Sequence, residues 1–378
     1  MRVNFAKWII FILFFLSLIS IIRSLALIIF STAPDFSVLW TGAADLIRGA
    51  NPYINPSLFT GIGYPPNTLL FYLPFSLLPY QLAQVLFTLL SFGSFLGIII
   101  ISFKILKEKF SWQTFLVVFS LSLLSFPTKF TFGMGQSNII AFFMLLLSYY
   151  LYKEKKLGMA GLILGLAISL KTIFAFFIIF FVLKKQWKVI KLAGLTIVAT
   201  IGITSIFSNT NLYGYYLKEV VPPLFNLSGR EIYYNQGVMG FISRLTNDLN
   251  ERKYISLIIS LFLTLFASWF ALYKKGKDLQ FSLFITTLLL IDTLSWQHHF
   301  VLLIFPFILV ANFATRKKFL FYLILIVTSY LLVSWNFSDP SPYYGFPKSL
   351  LLSNTFYGAL MLFFINASLI LNGRRTQN

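Results

Sequence analysis

His298 and His299 are the two histidines of this chain, and they stand side by side in Ser295-Trp296-Gln297-His298-His299 at the end of an apolar run. Asp292 precedes His299 by seven residues, so on one helix the two would share a face and the carboxylate would orient the imidazole. Far upstream, Asp35 in Ala33-Pro34-Asp35-Phe36 follows the first apolar run. A positioned carboxylate can take the proton from an attacking hydroxyl, and an imidazole can donate, accept or orient. Held together at a bilayer surface, such groups suit chemistry on a lipid-linked substrate. A zinc site suits them less, because adjacent histidines point about 100° apart on a helix and the i,i+4 pair of a zincin is missing. Each residue also has a plainer reading: Asp35 as a helix N-cap, the histidines as ordinary hydrogen-bonding groups.

The elements that must bring these groups together are apolar. The chain is 58% hydrophobic and 11% charged, with a mean hydropathy of +0.82, whereas soluble domains carry about a quarter charged residues. Runs of about 20 apolar residues are long enough to span a bilayer as helices, and the short alternating segments of a membrane barrel are missing from the pattern. The expected fold is all-α: a polytopic transmembrane helical bundle with about twelve spans. With no cysteine, disulfides, thiolate metal sites and a cysteine nucleophile are excluded.

The expected spans are Trp8–Phe30, Gln81–Phe103, Ser111–Phe126, Asn138–Tyr152, Leu157–Leu170, Thr172–Leu183, Leu192–Phe207, Tyr254–Tyr273, Leu279–Trp296, His299–Phe313, Phe319–Phe337 and Leu350–Leu371. This order puts both termini in the cytoplasm. The formal charge of +19 invites a nucleic-acid reading, but its distribution argues for no nucleic-acid partner. Twenty of the 30 Lys and Arg fall in the segments expected inside, among them Lys104, Lys107, Lys109, Lys153–Lys156, Lys184–Lys191, Lys274, Lys275, Lys277 and Arg316–Lys318. Only Glu108, Glu154 and Asp278 accompany them, the bias of the positive-inside rule. Leu157–Leu183 reads as a hairpin of two short helices around Lys171, because a single crossing would put one basic cluster outside. Trp8–Phe30 reads as an uncleaved anchor. The whole of residues 1–378 reads as one integral membrane domain, with long outer segments at 31–78 and 208–253.

In the first outer segment, Leu39, Ala43, Leu46 and Ile47 recur at helical spacing opposite Ser37, Thr41, Asp45 and Arg48, which predicts an amphipathic interfacial helix. Asp45 is expected to pair with Arg48. Asn67–Leu78, which contains Pro74, is too short for an ordinary span and reads as a re-entrant or interfacial helix. Gly133-Met134-Gly135-Gln136-Ser137-Asn138 offers close backbone approach and amide groups for a sugar or for helix packing. Lys171 either snorkels or meets a lipid phosphate. Arg244 either forks onto phosphate oxygens or pairs with Asp248.

In their order, several motifs carry a resemblance: Asp35-x-x-Val38, Ala43-Ala44-x-x-Ile47-x-Gly49-x-x-Pro52-Tyr53, Tyr64-Pro65-Pro66, Gly135-Gln136-Ser137-Asn138, Lys171, Asn235-Gln236-x-x-x-Gly240-x-x-x-Arg244, and Ser295-Trp296-x-His298-His299. The chain resembles the bacterial polyprenol-phosphate-mannose-dependent α-mannosyltransferases, within the C-type membrane glycosyltransferases, over nearly its whole length. The resemblance implies inverting transfer of a sugar, mannose in that family, from a polyprenyl-phosphate donor to a lipid or glycan acceptor, without a metal or other cofactor. It implies Asp35 as base and His298 or His299 in the active site, at the extracytoplasmic face of the plasma membrane. Lys171 and Arg244 become candidates for the donor phosphate, and Tyr64, Gln136, Asn138, Asn235, Gln236 and Trp296 for substrate contacts. The chain departs from the family in Gln236-Gly237-Val238, where Gln-Ser-Leu is more usual, and in Thr172 after Lys171, where proline is common. The other reading, a lipid-linked saccharide flippase or small-solute transporter, predicts polar groups deep along a pathway or internal repeats. The polar motifs here gather at one face instead.

Overall fold

A computed structural model describes residues 2–55, 62–108, 111–208, 211–226, 229–273, 276–317 and 319–375. Lys109, Lys274, Lys275 and Lys318 of the expected basic clusters lie outside the described residues. Among the described residues the fold is helical throughout, and its single β-type pairing is an isolated antiparallel bridge between Asn235 and Trp296.

Among the described residues, five helical stretches are long and apolar enough to cross a membrane: Tyr80–Leu106, Trp187–Phe207, Leu249–Ala271, Gln297–Arg316 and Lys348–Asn372. At about 1.5 Å per residue, even the shortest of them, with 20 residues, matches a hydrocarbon core of about 30 Å. The expected crossing Ser111–Phe126 is instead a broken element. Trp112–Leu124 and Phe126–Met134 meet at 64°, because Pro127 cannot continue the preceding helix and Ser125 adopts an extended backbone. Arg2–Phe30 forms one helix of 29 residues. Asn138–Lys153, Leu157–Leu170 and Leu320–Ser334 are apolar helices of 16, 14 and 15 residues.

Outward faces are apolar, as lipid requires. Leu257, Ile258, Leu261, Phe262 and Leu265 all point away from the protein along Leu249–Ala271. Inward, Tyr149 lies flat on Phe281 with ring centroids 3.8 Å apart, an arrangement that adds about 0.5–1.5 kcal/mol beyond area burial. Basic helix ends are tied down locally. Lys153 pairs with Asp278 at 2.8 Å, and Lys184 donates to Gln280 and the Ala271 carbonyl. Lys107, Lys155 and Lys185 take the left-handed conformation, with φ of 54°, 60° and 56°, just beyond the helices that end at Leu106, Lys153 and Leu183.

The outer segments are built more irregularly than the sequence suggests. Pro34–Ile47 is helical, and of the expected apolar stripe Leu39, Ala43 and Leu46 are buried within the protein whereas Ile47 is exposed. Asp45 is buried too, and it accepts from Asn55 Nδ2 at 2.5 Å instead of pairing with Arg48. The turn after the helix returns Asn55 to a partner that helical spacing alone assigned to Arg48. The single helix expected over Asn67–Leu78 is two short pieces, a 3₁₀ stretch Pro66–Phe71 and a turn Leu73–Ser76, because Pro66 and Pro74 each start a new element.

Candidate active site

Asp35 sits in the first turn of Pro34–Ile47, but it is not the cap. Ala33 holds that position, and no side chain caps the helix there. The carboxylate turns inward instead, and its Oδ2 accepts from Gln136 Nε2 at 2.5 Å. Two anchors fix the helix start. The Ala33 N–H donates to Gln84 Oε1 at 2.8 Å. Phe36, fully buried, packs among Phe87, Tyr80, Tyr72 and Phe75 at centroid distances of 4.8–6.2 Å.

Gly135 completes this contact. It ends Phe126–Met134 in the left-handed conformation, with φ 66°. A Cβ there would lie 2.6 Å from Phe36 Cβ. Only glycine lets the two segments meet so closely and in that backbone region.

From Gln136 a line of contacts continues. Tyr64 Oη is 3.5 Å from Gln136 Oε1, and Lys171 Nζ lies 5.4 Å from the centre of the Tyr64 ring. Lys171 is 2% exposed. It occupies the break between Leu157–Leu170 and Thr172–Phe176, where its extended backbone turns the side chain inward rather than letting it snorkel. Its Nζ lies 3.3 Å from His299 Nε2, and His299 Nδ1 lies 3.4 Å from Asp292 Oδ2. The Nδ1 contact is an ion-pair distance rather than an aligned hydrogen bond; an imidazole protonated on Nδ1 would place N–H toward the carboxylate and its lone pair toward the ammonium.

Asp292 and His299 therefore meet, but not on one helical face. The helix ends at Ile291, Asp292 caps it in an extended conformation, and a 3₁₀ stretch starts at Gln297. The chain doubles back between them because residues 234–237 clamp it. Gln236 N donates to Ser295 O and Gln297 N to Tyr234 O, both at 2.8 Å. Gly237 permits this approach, since a Cβ there would stand 2.6 Å from the Asp292 carbonyl.

The remaining sequence candidates divide by what they touch. Asn138 Nδ2 donates to the His298 carbonyl at 3.3 Å, beside Thr131 Oγ1 at 2.8 Å, so both hold the 298 backbone. The His298 ring packs edge-on to Phe130, 5.2 Å away, and is nearly coplanar in orientation with Trp296. Both of its ring nitrogens are buried without a hydrogen-bond partner among the described residues. Asn235 donates to the Arg230 and Thr293 carbonyls. Gln236 donates to the Tyr233 and Leu352 carbonyls and accepts from Phe356 N.

Arg244 is buried, and every nitrogen of its guanidinium is engaged: Nε with Ser353 Oγ, Nη1 with the Glu231 and Ile232 carbonyls, Nη2 with the Asn235 carbonyl. It makes no pair with Asp248, which caps Leu249–Ala271 instead. The structure thus joins Asp35, Gln136, Tyr64, Lys171 and His299 in one cluster, sets His298 against the edge of His299, and leaves Arg244, Asn235 and Gln236 buttressing the loop that clamps it. Sequence reasoning missed Thr131 and Phe130. Neither stands in a recognisable motif, and only three-dimensional proximity marks them.

Burial raises the Asp35 carboxyl above the usual carboxylate range, and the Gln136 hydrogen bond and the Lys171 charge pull the other way. Burial likewise lowers Arg244 to about 10, so it stays charged near neutral pH.

Long lipid-facing helices around a buried cluster of charges, assembled from segments far apart in the chain, define an integral membrane protein. The sequence pattern of glycosyltransferase family 87 matches residues 62–306, and the chain belongs to that family. Asp35 lies upstream of the matched residues, whereas Lys171, Arg244, His298 and His299 lie within them. The chain is also 22% identical, over 70% of its length, to a polyprenol-phosphate-mannose-dependent alpha-(1-2)-phosphatidylinositol pentamannoside mannosyltransferase of Mycolicibacterium smegmatis. A Mycobacterium tuberculosis protein of the same description is 23% identical over 71% of the chain. A polyprenol-phosphate-mannose-dependent alpha-(1-2)-phosphatidylinositol mannoside mannosyltransferase of M. tuberculosis is 23% identical over 82%. The chain spans 66%, 64% and 77% of the lengths of these three relatives.

Proposed function

We propose that this chain is a membrane mannosyltransferase that moves mannose from a polyprenyl-phosphate donor to a hydroxyl of a lipid-linked glycan, with inversion at the anomeric carbon. Family membership and the specificities named for the three relatives support the donor and acceptor classes. The observation that carries the reading is the unbroken line from Asp35 through Gln136, Tyr64 and Lys171 to His299.

In the proposed step, Asp35 takes the proton of the acceptor hydroxyl as its oxygen bonds to the anomeric carbon. The bond from that carbon to the phosphate oxygen breaks, and its electron pair leaves with the polyprenyl phosphate. Attack opposite the leaving group inverts the centre, by analogy with inverting glycosidases. Lys171 stabilises the charge that grows on the departing phosphate, in a site dry enough for that charge to matter. Asp292 holds His299 in one tautomer, and His299 in turn positions the Lys171 ammonium.

The arrangement in the membrane belongs to the same proposal. Twelve crossings, including a hairpin around Lys171, keep both termini and most basic residues in the cytoplasm. The outer segments 31–78 and 208–253 then close a single domain over an extracytoplasmic site in the plasma membrane, where the prenyl tail stays in lipid.

The test is reconstitution in liposomes with labelled polyprenyl-phosphate mannose and a panel of phosphatidylinositol mannosides and other glycan acceptors. Mannose transfer by the parent, and its loss in a folded Asp35→Asn variant, is the expected result. Movement of the lipid-linked sugar across the bilayer without a new glycosidic bond would replace the enzyme reading by the flippase reading.

A further inference from the structure

Tyr64 stands inside the candidate site, between Gln136 and Lys171. Its backbone is held by tyrosines that the proposed transfer step leaves unused. Tyr53 Oη donates to the Tyr64 carbonyl at 2.8 Å, and Tyr216 Oη to the neighbouring Gly63 carbonyl at 3.4 Å. The Tyr53 ring packs in turn on Tyr216, with centroids 5.6 Å apart, and lies nearly parallel to Tyr215 at 6.3 Å. Two hydrogen bonds and two ring contacts therefore join this trio to the residue that touches both the partner of Asp35 and Lys171.

The trio draws on both long outer segments of the proposed topology. Asn51 starts the short 3₁₀ turn Pro52–Ile54 by accepting from Tyr53 N at 3.0 Å. Tyr215 and Tyr216 come from the helical stretch 212–224, which Asn211 starts by accepting from Gly214 N at 3.0 Å. The middle of that stretch widens into a π turn, Tyr216–Val220. Pro222 and Pro223 lack the N–H groups that would close α turns onto residues 218 and 219. Leu224, at the end of the stretch, packs on Gly63, 3.5 Å from the position of a Cβ there. Turns of this kind recur at functional sites.

All three rings are half-buried, and the Tyr215 hydroxyl has no hydrogen-bond partner among the described residues. A phenol offers an apolar face and a polar tip. That matches a pyranose, which has an apolar C–H face and a rim of hydroxyls. It matches a phosphate less, since none of the three residues supplies a cation. The proposed reaction leaves one substrate to fill such a surface. The donor's phosphate belongs at Lys171, its prenyl chain in lipid and its single sugar at the reacting centre. Only the acceptor brings further sugars.

We propose that Tyr53, Tyr215 and Tyr216 form an acceptor subsite, an aromatic platform for the sugars of the acceptor glycan that lie beyond the one receiving mannose. Tyr53, fastened to Tyr64, positions the platform, and Tyr215 and Tyr216 meet the glycan. This deepens the function proposed above and rests on it.

The experiment has a binding arm and a kinetic arm, both on the full chain in nanodiscs. Soluble α-linked mannobiose and mannotetraose and a short-chain prenyl phosphate are titrated calorimetrically into the parent, Tyr215→Ala and Tyr215→Phe. Tyr215→Ala should weaken mannotetraose binding roughly 3- to 10-fold, the range for one lost aromatic contact. It should weaken mannobiose less and leave the prenyl phosphate unaffected. Tyr215→Phe, which keeps the ring, should lose less than Tyr215→Ala. In steady state, Tyr215→Ala should raise the acceptor KM, more for longer acceptors, with the donor KM unchanged. Rings that only anchor the chain at the membrane interface would give no such dependence on acceptor length. Parental mannotetraose affinity in Tyr215→Ala, equal losses for mannotetraose and prenyl phosphate, or a parent that does not bind mannotetraose would overturn the subsite. A parent that binds mannotetraose but transfers no mannose would instead overturn the function proposed above. If Tyr215→Ala does not fold, Tyr215→Leu takes its place under the same criteria.

Discussion

Gln136 donates to Asp35 across 2.5 Å, although the two stand 101 positions apart in the chain. That contact sets both the direction and the proton affinity of the carboxylate. Burial raises the affinity, and the Gln136 amide and the Lys171 charge restrain the rise.

The pH dependence follows from the sign of that balance. A base works only when deprotonated, so transfer should be present above the Asp35 pKa and should fall as the pH drops through it. The raised value places this acid limb above the ordinary Asp value of about 3.9. Gln136→Leu removes one influence that lowers the pKa, so the limb of kcat/KM against pH should move up. A limb that stays in place in Gln136→Leu would detach it from Asp35.

Asp292→Asn should leave the protein folded and slow transfer on the order of 10²-fold, the lower end for a disturbed acid–base group. The amide no longer selects the tautomer with its proton on Nδ1, and the lone pair that His299 turns to Lys171 loses its guarantee. Steady-state kinetics should show the loss in kcat more than in donor KM. A loss confined to KM would mean that Asp292 serves binding alone.

Gly135→Ala tests the close approach that aims Asp35. A left-handed alanine is strained by about 1–2 kcal/mol, and its Cβ would press on Phe36 Cβ at 2.6 Å. Displacing Asp35 by a fraction of an ångström should reduce transfer by up to about 10²-fold. Asn tolerates the left-handed region better, so Gly135→Asn would share the clash with less of the strain. Full activity in both variants would show that this contact does not set the carboxylate.

Arg244→Met should act on stability first. It removes four hydrogen bonds from a charged group and leaves the Glu231, Ile232 and Asn235 carbonyls and Ser353 Oγ without that donor. At about 1.5–3 kcal/mol per charged hydrogen bond, the thermal midpoint in detergent should drop by many degrees. A variant that melts with the parent but fails to bind donor would move Arg244 from the buttress to the phosphate.

Chemistry was more legible in the sequence than geometry. Asp35, Lys171 and His299 stand out because ionisable residues are rare in apolar surroundings, and the fold collects them. The pairing of Asp292 with His299 is also visible, yet helical periodicity explains it wrongly, since the helix stops and the chain folds back onto residues 234–237. Asp45 was assigned to Arg48 because spacing sees only local neighbours, whereas its partner Asn55 arrives through a turn. Pro66 and Pro74 announced an interruption without saying that two separate short elements would result. Thr131 and Phe130 gave no signal at all, because only the fold brings them to the His298 carbonyl and ring.

Lys107, Lys155 and Lys185 occupy positions where a helix end turns left-handed and where glycine would sit without strain. Glycine at all three should relax the backbone by about 1–2 kcal/mol each. In the proposed topology, the same changes would strip three positive charges from cytoplasmic helix ends, where such charges set orientation. A sturdier version made this way would come with more chains inserted upside down, so heat tolerance and correct insertion have to be improved at different residues.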